Sequence, residues 1–153
     1  MISLRPVVRP DLDALFDLKV HPEQQAFVAP NAVTLAEIHY IVGGYVFGIW
    51  AGEKVVGLLA MIDFREHDEL LDDDDPFAAF MLRLMVDADH QGQGYGRAAV
   101  ERAIDWARGR NNTRFQTSFA PANGAARRFY QAIGLRETGR IVEDEVEMSL
   151  DLG

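Results

Sequence analysis

The chain has 153 residues, a formal net charge of -9, 48% hydrophobic residues and no cysteine. That length fits one domain with its own core, and the acidic balance argues against nucleic acid as the main partner, because a phosphate backbone calls for a basic surface. The absence of cysteine excludes disulfides, thiolate metal sites and a cysteine nucleophile together.

The N-terminal stretch "MISLRPVVRPD" has no apolar signal-peptide core. The longest apolar run, "YIVGGYVFGIWA", is too short to cross a bilayer. A soluble, cytoplasmic protein without a membrane partner is the expectation. "ISLRPVV" alternates like a strand, and "RPDLDALFDLKV" follows as a helix with Leu12, Leu15, Phe16 and Val20 on one face. Pro10 and Asp11 suit its start. "HPEQQAFVAPN" is irregular. "TLAEIHYIV" reads as a second helix capped by Thr34, with Glu37 completing a capping box.

"YVFGIWAGEKVVGLLAMIDF" is expected to be a β-hairpin turning at Gly52. "REHDELLDDDDPF" breaks the pattern and reads as a mobile acidic loop. "FMLRLMVD" is almost wholly apolar, which suits a central strand. Residues 94–108 form a helical pattern with Ala99, Val100, Ala103, Ile104 and Ala107 inward. "TRFQTSF" is a strand, and "NGAARRFYQAIG" is a helix begun by Asn123 and stopped by Gly134. "LRETGR" and "VEDEVEMSL" close the chain as extended segments. Interleaved strands and helices give an α+β or α/β class with a mixed sheet, in one domain over residues 1–153.

The chemistry concentrates in "HQGQGYGRAA", where Gly92, Gly94 and Gly96 alternate between an apolar strand and a helix. A dinucleotide fingerprint fails because Arg97 occupies the last glycine position. A Walker loop fails for want of its lysine and Ser/Thr. A plain structural turn stays open. The physical alternative is an anion cradle: a glycine turn opening a helix offers free backbone N–H groups at the positive end of the helix dipole, with no Cβ in the way. That points to a phosphate-bearing ligand.

The pattern Gln91-x-x-Gly94-x-Gly96 resembles the acetyl-CoA motif, Q/R-x-x-G-x-G/A, of the GNAT superfamily of acyl-CoA-dependent N-acetyltransferases. "NGAARRFYQAIGL" matches a second motif of that family, and the order of elements agrees over roughly the whole chain. The resemblance implies a mixed, mostly antiparallel sheet splayed between its fourth and fifth strands and flanked by about four helices. It implies acetyl-CoA as co-substrate, with its pyrophosphate on the backbone of Gln91, Gly92, Gln93, Gly94, Tyr95 and Gly96. The pantetheine arm would run beside the strand ending at Val86. The backbone N–H of Leu84 or Val86 would face the thioester carbonyl and stabilise an oxyanion there.

Asn123 and Tyr130 lie seven residues apart and so differ by only ~20° around a helix. The resemblance implies that Asn123 contacts the pantetheine or an ordered water and that Tyr130 protonates the departing thiolate. An N-cap and a core aromatic are the plainer alternatives. Arg97 is a candidate for the pyrophosphate, and Arg127 or Arg128 for the 3′-phosphate, against simple surface roles.

An attacking amine must lose its proton. Some relatives keep a glutamate on the fourth strand for this, but here that strand reads "FMLRLMV". The base is then Asp63, Glu23 or a chain of waters. The histidines have no metal-ligand spacing, so no metal is expected. "LKVHPEQQAFVAPNAVTLAEI" looks similar to a subgroup of polyamine and diamine acetyltransferases, and an acidic surface suits a cationic amine. Another small amine, a protein amine, or acyl-CoA binding without turnover remain alternatives. The family's habit implies a homodimer.

Overall fold

The structure, a computed structural model, describes residues 1–153. Seven strands form one sheet: β1 (Ile2–Pro6), β2 (Gly44–Ala51), β3 (Lys54–Asp63), β4 (Ala78–Val86), β5 (Arg114–Phe119), β6 (Arg136–Val142) and β7 (Glu145–Asp151). Their spatial order is β1-β2-β3-β4-β5-β7-β6, and every neighbouring pair is antiparallel except β4 and β5. The helices are α1 (Leu12–Asp17), α2 (Asn31–His39), α3 (Tyr95–Gly109) and α4 (Gly124–Ile133). The α+β class and the central place of the apolar strand agree with the sequence. No helix is long and apolar enough to cross a membrane.

The sheet is covered on both faces. On one, α3 buries Ala99, Val100, Ala103, Ile104 and Ala107, as its period requires, against Met61, Ala79, Met81 and Phe115. Tyr130 and Leu135 complete this core. On the other face Leu15 of α1 packs with Val55, Leu58 and Met85, and Leu18, Val20 and Leu35 lie against them.

Two helices depart from expectation. The first ends at Asp17, because Leu18 is already extended, and Phe16 is 44% exposed rather than inward. The second begins at Asn31, not after Thr34. The Thr34 N–H donates to the Pro30 carbonyl at 3.1 Å, so Thr34 sits inside the first turn and is buried. The cap is replaced by tertiary structure: Asn31 Nδ2 donates to the Leu15 carbonyl at 2.8 Å, tying α2 to α1. Glu37 then faces β4, 3.2 Å from Arg83.

The acidic segment is not free chain. Asp74 meets Arg140 at 3.3 Å, Asp75 meets Arg114 at 3.5 Å, and Glu66 binds Tyr45 and Arg110. The acids that looked like a solvated run are partners for arginines distant in sequence.

The feature that makes the site is the β4–β5 pairing. It spans only Ala78 to Met81 against Arg114 to Thr117, while β4 runs on to Val86 and β5 to Phe119. At the same point β4 bulges: Ala60 is opposite Arg83 and Met61 opposite Met81, leaving Leu82 over. A bulge bends and twists its strand. Further along, the approach of β3 is so close that a Cβ on Gly57 would stand 2.3 Å from the Met85 carbonyl oxygen. The end of β4 thus stays with β3 and parts from β5.

Candidate active site

Where β4 and β5 part, a cleft of about 1070 Å³ opens through the sheet. Residues 81–86 form one wall and residues 117–120 the other. The glycine turn closes one end, the segment 23–30 covers the α1–α2 side, and Asn123, Phe129 and Tyr130 line it from α4.

The backbone of β4 is turned by strand alternation. The Met81 carbonyl faces β5, accepting from Thr117 Oγ1 at 2.9 Å, and the Asp87 N–H faces β3, donating to the Val56 carbonyl at 2.8 Å. Counting back from Asp87, the polar groups of Val86 and Leu84 face the gap. Gln91 confirms this for Val86, since its Nε2 donates to that carbonyl at 2.9 Å.

The glycine turn is built as an open cradle. Gly92 and Gly94 have φ of +78° and +79°, in the left-handed region that other residues enter only with strain. A Cβ on either would meet nothing within 4 Å, so the space in front of them is open. Gly94 is the N-cap of α3. The N–H groups of residues 92–97 donate to no protein acceptor, the next N–H being that of Ala98 to the Gly94 carbonyl at 3.1 Å. A run of adjacent free donors at a helix N-terminus is what an anion needs. Gln91 lines the cleft, and its side-chain amide ties the turn to β4 and, at 2.9 Å, to Gln24 Oε1 of the opposite loop.

Tyr130 is 8% exposed and lines the cleft. Burial drives its pKa up to about 12, against an opposing effect of the neighbouring Thr117 hydroxyl and with a smaller push from the Glu145 carboxylate. The phenol therefore keeps its proton at any working pH and is a donor. Asn123 caps α4, its Oδ1 accepting from the Ala126 N–H at 3.2 Å, and also lines the cleft.

Other expected residues lie elsewhere. Asp63 is fully buried and outside the cleft. Burial alone would raise its pKa, but hydrogen bonds from Arg65, Asn112 and Arg110 outweigh that and hold it well below the usual carboxylate range. An acid so committed to arginines is no proton acceptor for a ligand. Arg127 pairs with Glu137 at 3.3 Å and lies over the Phe119 ring, and Arg128 lies outside the cleft and is exposed, as is Gln93. Arg97 lines the cleft and pairs with Glu101 at 3.6 Å. Glu23 lines it from the covering loop.

Two cleft residues escaped sequence reasoning. Glu145, at the start of β7, lines the cleft and accepts from Ser118 Oγ at 2.7 Å. In "VEDEVEMSL" nothing distinguishes it from its acidic neighbours. Phe129 stands 3.5 Å from where a Gly96 Cβ would lie, which is ordinary contact, so that position admits alanine but little more. No group of His, Asp and Glu side chains is arranged to hold a metal.

A splayed mixed sheet, a donor-rich glycine turn and a buried phenol beside the gap define an acyl-transfer type of fold with room for an extended, phosphate-bearing donor. The chain belongs to the GNAT acetyltransferase family, whose model matches residues 11–135. GNAT enzymes are acyltransferases that use acetyl-CoA. Among solved structures, aminoglycoside acetyltransferase AAC(6')-Ib in complex with coenzyme A is similar at a TM-score of 0.79 and 18% identity, over 99% of this chain and 95% of that one. Spermidine N-acetyltransferase from Vibrio cholerae, in complex with CoA and spermine, is similar at 0.73 and 20%, over 98% and 95%. An acetyltransferase from Thermus thermophilus is similar at 0.74 and 24%, over 99% and 97%. No curated protein sequence matches the chain.

Proposed function

We propose that the protein transfers the acetyl group of acetyl-CoA to a primary amine by direct attack, and that the acceptor is a small cationic amine such as a polyamine. The observation that carries this reading is the run of unaccepted N–H groups at residues 92–97, at the end of a strand gap that also holds the Tyr130 phenol. In this reading the turn receives the pyrophosphate and the pantetheine lies along β4 like an added strand. The Leu84 N–H then bonds the thioester oxygen and stabilises the charge that develops there. Tyr130 donates its proton to the departing sulfur. Asn123 supports the arm between the two, and Arg97 adds charge near the phosphates.

A cationic acceptor is supported by the net charge of -9 and by Glu23 and Glu145 in the cleft walls. The one arginine on β4, Arg83, is paired with Glu37 at 3.2 Å. The cytoplasm suits a chain without cysteine, and a homodimer follows the family's habit.

The test is a screen of amines with acetyl-CoA, following thiol release. Polyamines and diamines are expected to give turnover. Release of thiol with aminoglycosides or peptides alone moves the acceptor to those classes. Coenzyme binding without turnover on any amine makes the protein a binding module.

A further inference from the structure

The fourth strand carries no carboxylate, Asp63 is locked among arginines, and the incoming ammonium still has a proton to lose. We propose that Glu145 takes it, as the general base of the transfer. This rests on the acetyltransferase reading above.

Alternation puts Glu145 on the right face. Val146 and Met148 point into the core under α3 and α4, together with Phe119 and Tyr130. Glu145 therefore points to the opposite face, where the cleft opens beneath the segment 23–30 and where an acceptor can enter. Ser118, the neighbour of Phe119 on β5, points the same way. Its hydroxyl donates to Oε1 of Glu145 at 2.7 Å and fixes the carboxylate against the β5 wall. Oε2 has no hydrogen-bond partner, and no arginine, lysine or histidine forms an ion pair with Glu145. Tyr130 lines the same cleft from α4, so the base and the acid would face one gap between β4 and β5.

The surrounding charges are otherwise spent. On β7 the next acid on that face, Glu147, is held by Arg140 at 3.1 Å and by Thr138 at 2.9 Å. From the acidic segment, Asp74 is paired with the same Arg140. On β4, Arg83 is paired with Glu37. Glu23, on the covering loop, is the other cleft carboxylate. It has no hydrogen bond to fix it, and suits a distal positive group of the acceptor.

The step balances. Oε2 takes a proton from R–NH3+, leaving a neutral amine and a carboxylic acid. With coenzyme and acceptor excluding water, burial favours this neutral pair over the ion pair. The nitrogen lone pair forms the C–N bond, and the C–S bond breaks with its electrons on sulfur. The sulfur takes the Tyr130 proton. The phenolate recovers a proton from the newly formed, still protonated amide nitrogen. Glu145 gives its proton to solvent.

Glu145→Gln keeps the shape and the Ser118 contact but cannot accept the proton. With an amine that the parent protein acetylates, kcat/KM at pH 7 should fall ~10²-fold, the scale of a positioned base. The loss should shrink towards about pH 10, where the free amine is abundant. Thermal stabilisation by coenzyme A should be unchanged. Glu143→Gln, in the exposed turn beside it, should behave as the parent. Formate should restore part of the rate to Glu145→Ala, which an effect on folding alone does not predict. A parental rate at pH 7 in Glu145→Gln overturns the base and leaves the transferase reading intact. A loss equal at all pH values, without formate rescue, also overturns it and makes the residue structural. A parent protein that acetylates no amine overturns the transferase reading and the base with it.

Discussion

Tyr130 and Asp63 show how burial sorts ionisable residues with opposite outcomes. Each is removed from water. The phenol is neutral when protonated, so burial holds its proton in place and its pKa rises to about 12. The carboxylate is charged, and it survives burial only because Arg65, Arg110 and Asn112 surround it. One becomes a usable donor beside the cleft and the other a structural anion away from it. If Tyr130 is the acid, Tyr130→Phe keeps the ring against Phe129 and the core, so stability and coenzyme affinity should change little. Single-turnover acetyl transfer should slow by ~10²-fold or more, in kcat rather than KM. The deficit should narrow with an acyl donor whose thiol has a low pKa, since that thiolate leaves unprotonated. A parental rate for Tyr130→Phe with acetyl-CoA would make the tyrosine only a core aromatic. Its candidacy was legible in the sequence because motif and helical spacing are local properties. The isolation of Asp63 was not, because all but one of its partners are distant in the chain.

Elements succeed or fail as predictions according to where their ends are decided. The helix α3 ends close to where its period and glycine signals put it, and α4 is capped by Asn123 and stopped at Gly134 as expected. Those signals lie within a few residues of the ends. The start of α2 was misplaced because its anchor is the Leu15 carbonyl, sixteen positions away. The bulge at Leu82 leaves no trace in an apolar run, yet it coincides with the point where β4 leaves β5. For the glycine turn, Gly94→Val should do two things. It forces a β-branched residue to φ near +79°, at a cost of about 1–3 kcal/mol, and it fills the open space before the N–H groups. The melting temperature should fall, and acetyl-CoA should no longer raise it in proportion to its concentration. Unchanged coenzyme affinity in a folded Gly94→Val protein would show that the turn is not the cradle.

Across the whole molecule, the excess of acid is partly structural. Asp63 joins β3 to the end of α3 through Arg110 and Asn112, and Asp87 joins β4 to the Lys19 segment. Burial works against both charges, but hydrogen bonds from Arg65, Asn112 and Arg110 in the first case, and from Lys19 and His90 in the second, lower both pKa values. The unfolded chain binds their protons near about pH 4, and the folded one does so only at lower pH. Their contribution is therefore complete above that point and is lost as pH falls through the folded values. Urea unfolding should give a level stability above about pH 5 and a decline below it. Asp63→Asn should be less stable by about 3–5 kcal/mol at pH 7, because two arginines lose their anion, and should show a shallower acid decline. An undiminished decline in Asp63→Asn would place its origin in other carboxylates.

The sequence by itself determined the period of each helix, the apolar central strand, the glycine turn with its helix, and the pairing of Asn123 with Tyr130 on one face. Each is set by residues within one or two turns of one another, where backbone geometry alone relates them. Only the tertiary structure decided that β4 parts from β5 at a bulge, that Asp63 is a structural ion and that Arg140 holds Asp74 and Glu147. It also decided that Glu145, one acid among several in the last strand, lines the cleft that Tyr130 also lines. These are relations between segments far apart in the chain, set by the register of strand pairing. A shift of one residue in that register turns every side chain to the other face, so no local pattern contains them.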